Sequence, residues 1–242
     1  MLSKNQIKLI KSLSQKKFRS QHSLFTVEGV KGITEFINST FSLNQIYTLD
    51  NIFDVDGSKV TLISDSDLKK VTQLKNPNTA IGVFEIPKSE VIDNSKLIVA
   101  LDDVRDPGNL GTIIRLCDWF GVKDLVCSKA TVDCFNSKVV QATMGSLTRV
   151  NISYLDLHNF LSDSKKEVFG TFMDGENIYN AELSKSGILV LGNEANGISK
   201  TIESKVTREL GIPRFGNLKA TESLNVATAT AICLSEFKRK TI

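Results

Sequence analysis

Three short segments of this 242-residue chain each join an apolar run to polar side chains that could bind a ligand. The apolar runs are typical of strands buried on both faces of a parallel sheet, and ligand sites of such sheets lie beyond the carboxyl ends of the strands. Because these ends point the same way, the polar side chains could converge on one site. The candidates are Asn109, Arg115, Glu194, Ser223 and Asn225.

Each candidate also has a purely structural interpretation. Asn109, Ser223 and Asn225 stand where helices are expected to begin and could serve only as N-caps. Glu194 could be a solvated carboxylate in a surface turn. Arg115 lies in an otherwise apolar helical pattern, where its guanidinium must either reach solvent or find an acceptor. Taken singly, these residues leave a ligand site and a plain surface as open alternatives.

The glycines near the candidates restrict the kind of nucleotide site. Gly108 and Gly111 lack the spacing of the dinucleotide fingerprint Gly-x-Gly-x-x-Gly, which weakens a Rossmann interpretation. Gly192 and Gly197 flank Glu194 and permit either a close backbone approach or a positive φ. The sequence therefore favours an α/β sheet whose ligand loops differ from those of a Rossmann domain.

The elements that must position these residues alternate between strand and helix patterns. A basic helix is predicted over 3–18, a strand over 25–29 and a helix over 30–39, and short strands complete a small α/β unit near residue 87. The polar stretch 87–96 is the predicted linker. The remainder predicts a parallel α/β sheet with helices on both faces. Its predicted strands cover 97–104, 124–128, 149–155, 167–173, 187–193 and 209–213, and its helices cover 111–122, 135–147 and 223–240.

Composition narrows the class of protein. Hydrophobic residues make up 41% of the chain and charged residues 24%, as in folded globular proteins, and the net charge of +3 weakly supports a polyanionic partner. The cysteines form no Cys-x-x-Cys pair and do not cluster with the histidines, so we expect no metal site and reduced thiols in the cytoplasm. Without a long apolar run or a signal-peptide pattern, we expect no membrane segment.

The three segments resemble, in order, the motifs of the SpoU/TrmH family of RNA ribose 2′-O-methyltransferases, within the SPOUT superfamily. One motif alone would be a weak match, whereas three in the right order and at the right overall spacing form a specific one across residues 97–240. The matching residues are Asn109, Gly111 and Arg115, then Gly192, Glu194 and Gly197, and finally Ile212, Pro213 and Ser223 to Val226.

The resemblance implies an α/β fold in which a parallel-sheet SPOUT domain with a trefoil knot covers residues 96–242. It also implies S-adenosylmethionine held by main chain in the knot loops, and a homodimer with the active site near the subunit interface. The implied catalytic residues are the five candidates above. The implied cofactor-binding positions are Gly192, Asn193, Ile212 and Leu224, with Met144 and Gly145 as further candidates.

The N-terminal part, residues 1–88, resembles the RNA substrate-binding domain of the same family, whose fold is similar to ribosomal protein L30e. Residues 4–19 carry basic side chains and no acid, a pattern that alone is more typical of a solvated helix face. Because Arg19 precedes Phe-Thr-Val-Glu-Gly at 25–29 as in the family, the resemblance favours contact with RNA phosphates instead. The predicted contacts are Arg19, Lys16 and Lys17.

The implied reaction is methyl transfer to a ribose 2′-hydroxyl of structured RNA, ribosomal RNA more than transfer RNA. Arg115 would position the ribose or its phosphate, since a guanidinium stays protonated and is a poor base. Glu194 would orient Arg115 or Asn109. The loop 214–222 is longer than usual in the family, which leaves the cofactor loop and the substrate open. Two alternatives stay open: a non-catalytic RNA-binding protein of this fold, and a nucleotide-binding α/β enzyme that acts on a small molecule.

Overall fold

The computed structural model describes residues 1–216 and 223–239, and the chain divides into two compact units. Unit 1 comprises Met1–Lys88 and Asp133–Thr148, and unit 2 comprises Ser89–Val132 and Arg149–Ile242. The polypeptide therefore leaves unit 2 after Val132 and returns to it at Arg149. Segment 133–148, which the sequence predicts as part of the C-terminal domain, packs in unit 1.

The helices and strands are numbered along the chain. The strands are Leu24–Glu28 (β1), Leu43–Thr48 (β2), Val60–Leu62 (β3), Ala80–Glu85 (β4), Ile98–Leu101 (β5), Asp124–Ser128 (β6), Asn151–Leu155 (β7), Val168–Asn177 (β8), Ile188–Leu191 (β9) and Arg208–Gly211 (β10). The helices are Lys4–Ser12 (α1), Lys16–His22 (α2), Val30–Ile37 (α3), Asp65–Val71 (α4), Pro107–Trp119 (α5), Ser137–Thr143 (α6), Leu157–Ser162 (α7), Lys200–Glu203 (α8) and Val226–Arg239 (α9).

Unit 1 is built on a mixed sheet with the strand order β1-β4-β2-β3. β4 pairs antiparallel with β1 and β2, whereas β2 and β3 are parallel. One side of this unit contains an aromatic cluster in which the ring of Phe25 contacts four other phenylalanines. They are Phe36, Phe41, Phe84 and Phe135. Burial of one such side chain contributes about 1.5–3 kcal/mol, so the cluster is a major source of stability for the unit.

Segment 133–148 is part of this core because Phe135 belongs to the aromatic cluster. The Phe25 and Phe135 ring centroids lie 4.7 Å apart. The Ser137 hydroxyl, in the first turn of α6, donates a 2.6 Å hydrogen bond to the side-chain oxygen of Gln73. α6 ends earlier than predicted, since Met144 and Gly145 both adopt positive φ values that a helix cannot continue through.

Unit 2 is built on a parallel sheet with the strand order β10-β8-β9-β5-β6-β7. This confirms the predicted parallel α/β architecture. Residues of α7 and α8 pack with Ile98 and Val190 on one face, whereas on the other face Phe237 of α9 contacts the ring of Phe169. β5 and β9 are buried along their whole length, so their carboxyl ends are held firmly at one edge of the sheet.

The helix after β5 begins four residues before its predicted start at Gly111. Asp106 is the N-cap, and its carboxylate accepts a hydrogen bond from the backbone N–H of Asn109 (2.8 Å). Pro107 occupies the first turn, where its missing N–H costs nothing. The sequence Asp-Pro is a start signal that the apolar pattern alone does not contain. Asn109 therefore lies inside the first turn of α5 and is not its cap.

Three further findings concern classes of site. No helix among the described residues is long and apolar enough to cross a membrane. Within the same residues, no group of histidine, cysteine and carboxylate side chains is arranged to hold a metal ion. All four cysteines are free thiols, and all are buried.

Candidate functional site

The centre of the candidate site is a hydrogen-bonded series of three side chains in unit 2. The side-chain nitrogen Nδ2 of Asn109 donates to Glu194 Oε1 (2.9 Å), and Nδ2 of Asn225 donates to Asn109 Oδ1 (2.8 Å). A carboxylate only accepts, so Glu194 requires the NH₂ group of Asn109, whose oxygen is then left to accept from Asn225. These bonds join the first turn of α5, the loop after β9 and the start of α9. The predicted convergence of the three segments is thus present for three of the five candidates.

Asn225 is fixed from its other side by α9. Its Oδ1 accepts hydrogen bonds from the amides of Ala227 (3.0 Å) and Thr228 (3.3 Å), which is the geometry of an N-cap. Asn225 is therefore an N-cap, as the structural interpretation predicts, and it also contacts Asn109 of the candidate site. Capping leaves only the amide nitrogen of Asn225 for Asn109, and this determines the orientation of both side chains.

Glu194 lies at the tip of a tight loop formed by its flanking glycines. Asn193 and Gly197 exchange two backbone hydrogen bonds of 2.9 Å each, and Gly197 has φ +68°. A Cβ on Gly192 would lie 2.1 Å from the carbonyl carbon of Gly197, so no other residue fits there. The two glycines thus serve a close approach of backbone and a positive φ, and the exposed Glu194 points towards Asn109 as a result.

The loop between β5 and α5 is held by a residue in a strained conformation. Asp103 has φ +59°, which is uncommon for a residue with a side chain and which accumulates at functional sites. Its amide donates to Ser128 Oγ (2.9 Å), and its carbonyl accepts from the Asn193 side chain (2.7 Å). Its carboxylate takes two hydrogen bonds from Arg105, and this pairing raises the pKa of that guanidinium.

Arg115 and Ser223 lie outside the hydrogen-bonded series. Arg115 is exposed on α5, and within the described parts of the chain it makes no hydrogen bond or ion pair. It shares the solvent face of α5 with Thr112 and with Trp119, which is 85% exposed. Ser223 is also exposed. The guanidinium of Arg115 is therefore available to an external anion, and in this structure Glu194 orients Asn109 instead.

The candidate cofactor positions of unit 2 follow the ends of β9 and β10. Gly192 and Asn193 come directly after β9, and the half-buried Ile212 directly after β10, while the exposed Leu224 precedes α9. Ile212 and Leu224 supply apolar side chains and main-chain polar groups, which are the kinds of group that a flat heteroaromatic base with a polar edge requires. The chemistry of these residues is therefore compatible with an adenosine-containing cofactor.

Met144 and Gly145, the other two cofactor candidates, belong to unit 1. They follow α6, and a Cβ on Gly145 would lie 2.9 Å from Cγ of Glu35, so Glu35 packs directly on this glycine. Together with residues of β1 and α3, they line a cavity of about 210 Å³ within unit 1. Their part in cofactor binding stays a prediction.

One predicted RNA contact requires correction. Arg19 is only 2% exposed, and its guanidinium is fully engaged inside unit 1. It donates to both carbonyls of Leu13 and Ser14 (2.9 Å each) and forms an ion pair with Asp133. Such a side chain cannot contact RNA in this structure, and its role is to hold the α1–α2 turn against segment 133–148.

The lysines beside Arg19 lie on the surface. Lys16 and Lys17, in the first turn of α2, are both exposed, as are three lysines of α1. The three are Lys4, Lys8 and Lys11. Their spacing of four and three residues places them along one side of α1, so this surface carries a row of positive charge.

Comparisons with known proteins match both parts of the chain. The family model described as the SpoU rRNA Methylase family matches residues 96–235, and the MRM3-like substrate binding domain matches residues 4–82. A curated relative, 23S rRNA (guanosine(2553)-2′-O)-methyltransferase RlmP of Bacillus subtilis (strain 168), is 31% identical over 238 residues, which cover 95% of this chain and 94% of the relative.

Two solved structures are similar over nearly the whole chain. A protein of the TrmH family from Porphyromonas gingivalis is 36% identical with a TM-score of 0.90, and the match covers 99% of each chain. An AdoMet-bound rRNA methyltransferase from Sinorhizobium meliloti is 28% identical with a TM-score of 0.88, and the match covers 100% of this chain and 97% of that one.

Proposed function

Because the chain belongs to the SpoU rRNA methylase family, we propose that it transfers a methyl group from S-adenosylmethionine to a ribose 2′-hydroxyl of 23S rRNA. The observation that carries this proposal is the hydrogen-bonded series Glu194–Asn109–Asn225, which joins three strand-end loops within the matched region. The curated relative is named for methylation of a guanosine, and guanosine is the proposed target nucleoside here.

The proposed cofactor site uses main chain after β9 and β10. Gly192, Asn193, Ile212 and Leu224 would hold the cofactor, with the apolar side chains of Ile212 and Leu224 against the adenine. S-adenosylmethionine, when bound, supplies an electrophilic methyl group on a sulfonium. The trefoil knot that would bring these loops together is part of the same proposal.

Arg115 is the proposed contact for the target nucleotide. Its exposed guanidinium would bind the phosphate next to the ribose, and this orients the 2′-oxygen without any proton transfer by arginine. The ribose oxygen gains the methyl carbon and loses its proton, for which a phosphate oxygen of the RNA is the proposed acceptor. Asn109, held by Glu194 and Asn225, and Ser223 would complete the polar wall around the ribose.

Unit 1 is the proposed RNA substrate-binding unit, of the L30e-like type. Support comes from its match to a substrate binding domain and from the exposed lysine row of α1 and α2. Lys16 and Lys17 are the proposed phosphate contacts among the predicted residues, and Lys4, Lys8 and Lys11 extend the same surface. Phosphate contacts of this kind give affinity without reading sequence.

A homodimer and a cytoplasmic location complete the proposal. The solvent face of α5 carries Trp119 beside Arg115, and a second subunit covering the tryptophan would place Arg115 next to the interface. A ribosomal RNA substrate implies the cytoplasm. The molar mass from light scattering tests the dimer, with Trp119→Glu expected to shift the mass towards that of one chain.

The experiment that tests the function measures label transfer from S-adenosylmethionine to RNA transcribed in vitro, which carries no modification. We expect label in 23S rRNA and none in transfer RNA, at one position where alkaline cleavage is blocked. Arg115→Ala should lower the transfer rate roughly a hundredfold or more, because a positioning contact is lost while the cofactor site is intact. Arg239→Ala, which changes an exposed arginine of α9, is the matched control.

The outcomes separate the alternatives. Cofactor binding, measured by calorimetry, should be unchanged in Arg115→Ala. Wild-type turnover in that variant would contradict the role of Arg115 but leave the reaction class intact. If the wild-type protein neither binds S-adenosylmethionine nor labels any RNA, it is a non-catalytic RNA-binding protein of this fold.

A further inference from the structure

Unit 2 carries an exposed aromatic pair that the proposed reaction does not yet use. Phe215 is 82% exposed and Tyr179 is 38% exposed, and their ring centroids lie 6.4 Å apart with the planes inclined by 36°. We propose that this pair is a stacking platform for an unpaired base of the substrate RNA, next to the methylated nucleotide. The inference rests on the proposed function, which supplies the RNA.

The two rings belong to the same edge of the sheet as the candidate site. Tyr179 follows the end of β8, and Phe215 follows the end of the neighbouring strand β10. In a parallel sheet these ends lie on one side, together with the ends of β5 and β9 that carry Asn109 and Glu194. Phe215 is also only three residues beyond Ile212, the proposed cofactor contact. A base stacked here would thus belong to a nucleotide that reaches the same edge.

Hydrogen bonds hold the backbone that carries the Tyr179 ring. The amide of Ile178 donates to the carbonyl of Gly211 (3.0 Å), which ties the β8 loop directly to the end of β10. The amide of Tyr179 donates to Asn177 Oδ1 (3.0 Å), and Ile178 itself is fully buried. These bonds hold the backbone that carries the Tyr179 ring and so limit the positions that the ring can take, which favours recognition by preorganised contacts.

The ring geometry leaves room for a base. At 36° and 6.4 Å the two rings touch without covering each other face to face, and the exposure of Phe215 shows that most of its surface is free of protein contacts. Unpaired RNA bases are recognised by stacking on aromatic side chains, and every base offers a π-face. An aliphatic side chain buries comparable area but offers no such face, and this difference can be tested.

The test compares three substitutions of Phe215 that separate aromatic character from apolar area. Phe215→Leu and Phe215→Ala should raise KM for an unmodified 23S rRNA transcript by roughly tenfold or more, and Phe215→Tyr should retain most of the wild-type KM. Met173→Ala, which shortens an exposed apolar side chain of β8, is the matched control and should behave like wild type. Filter binding of the same transcript should show the same order of affinities.

Two further measurements distinguish other roles of the pair. The dissociation constant for S-adenosylmethionine without RNA should be the same in all variants. If this constant rises in Phe215→Leu by the same factor as KM for the transcript, Phe215 lines the cofactor site and the inference is overturned. Light scattering should give one molar mass for all variants. A change to a smaller mass in Phe215→Ala would make the pair a subunit contact, which also overturns it.

Failure of this inference differs from failure of the proposed function. If the wild-type protein methylates the transcript and Phe215→Leu does so with an unchanged KM, only the stacking platform is refuted. If the wild-type protein labels no RNA, whether or not it binds the cofactor, the proposed function is refuted and the inference with it.

Discussion

Asn109→Asp is the substitution that tests the hydrogen-bonded series most directly. It keeps the size of the side chain and the oxygen that accepts from Asn225, but it replaces the donor to Glu194 by a second carboxylate. The two oxygens would then face each other at about the present 2.9 Å. The Coulomb energy of two unit charges at this separation is about 1.4 kcal/mol in water and rises several-fold at a lower dielectric constant.

Because Glu194 is exposed and Asn109 is half-buried, a Coulomb energy close to the value in water applies. We expect the free energy of unfolding at pH 7.5 to fall by about 1–2 kcal/mol, including the lost hydrogen bond. Glu194 raises the pKa of the introduced carboxyl group in the folded state above its value in the unfolded chain. The deficit is therefore complete above that folded pKa and shrinks as the pH falls towards the ordinary value of about 4.

The decisive control is the double variant Asn109→Asp with Glu194→Gln. It restores one donor and one acceptor with the net charge of the wild type, so at least half of the lost stability and part of the lost transfer rate should return. Urea unfolding followed by circular dichroism, at pH 7.5 and at pH 5, measures the stability, and label transfer to 23S rRNA measures the rate. Equal stability of the single variant at both pH values, or no recovery in the double variant, would refute the reasoning.

Two other predictions concern buried groups. Asp133→Ala should destabilise the protein by about 3 kcal/mol in urea unfolding, because it leaves the guanidinium of Arg19 buried without its counter-charge. Asp65→Ala, which removes the exposed pair with Lys69, should lower the free energy of unfolding by less than about 1 kcal/mol. Equal effects of the two substitutions would contradict the structural role given to Arg19. Burial raises the pKa of the thiols of Cys117 and Cys233 to about 12 from an ordinary value of 9.0. Since the unfolded chain then loses these protons first, stability should decline as the pH rises above about 9, by at most about 1.4 kcal/mol per pH unit and thiol. Urea unfolding between pH 8 and pH 10 measures the decline, which should be smaller when Cys117 and Cys233 are replaced by alanine.

The sequence predicts the edge of the site well because its signals are local. Continuous apolar runs mark β5 and β9, and the polar residues Asn109 and Glu194 follow them directly. Gly192 and Gly197 can also be predicted from local sequence, since Gly192 has no room for a Cβ and Gly197 adopts a positive φ within the same short loop. What the sequence does not contain is the order of the hydrogen bonds, which depends on the capping of α9 by Asn225.

The role of Arg19 could not be predicted because its partner is remote. Asp133 lies 114 positions after Arg19 in the sequence, in a segment that the apolar pattern assigns to the other domain. A basic residue within a basic stretch is expected on the surface, and only the folded chain brings the acid to it. The same applies to Phe215 and Tyr179, whose pairing depends on the neighbouring positions of β8 and β10.

Short helices were missed for a different reason. α4 and α7 span seven and six residues, too few for an apolar period to be recognised. Their N-caps, Ser64 and Asp156, are nevertheless ordinary start signals, each accepting a hydrogen bond from the amide three residues on. Capping residues therefore carry information here that hydrophobic periodicity does not.

The excursion of residues 133–148 into unit 1 limits how freely the two units can be exchanged. In a chimera joined at residue 88, residues 1–88 would come from a relative and 133–148 from this chain. The Phe135 ring would then have to pack on the relative's aromatic residues, and the carboxylate of Asp133 on the relative's α1–α2 turn. An isolated fragment starting at Ser89 would expose both. Recombination between relatives, in the laboratory or in evolution, therefore has to exchange 1–88 and 133–148 together. Because 133–148 is inserted in the sequence of unit 2, a single crossover cannot exchange one whole unit without part of the other.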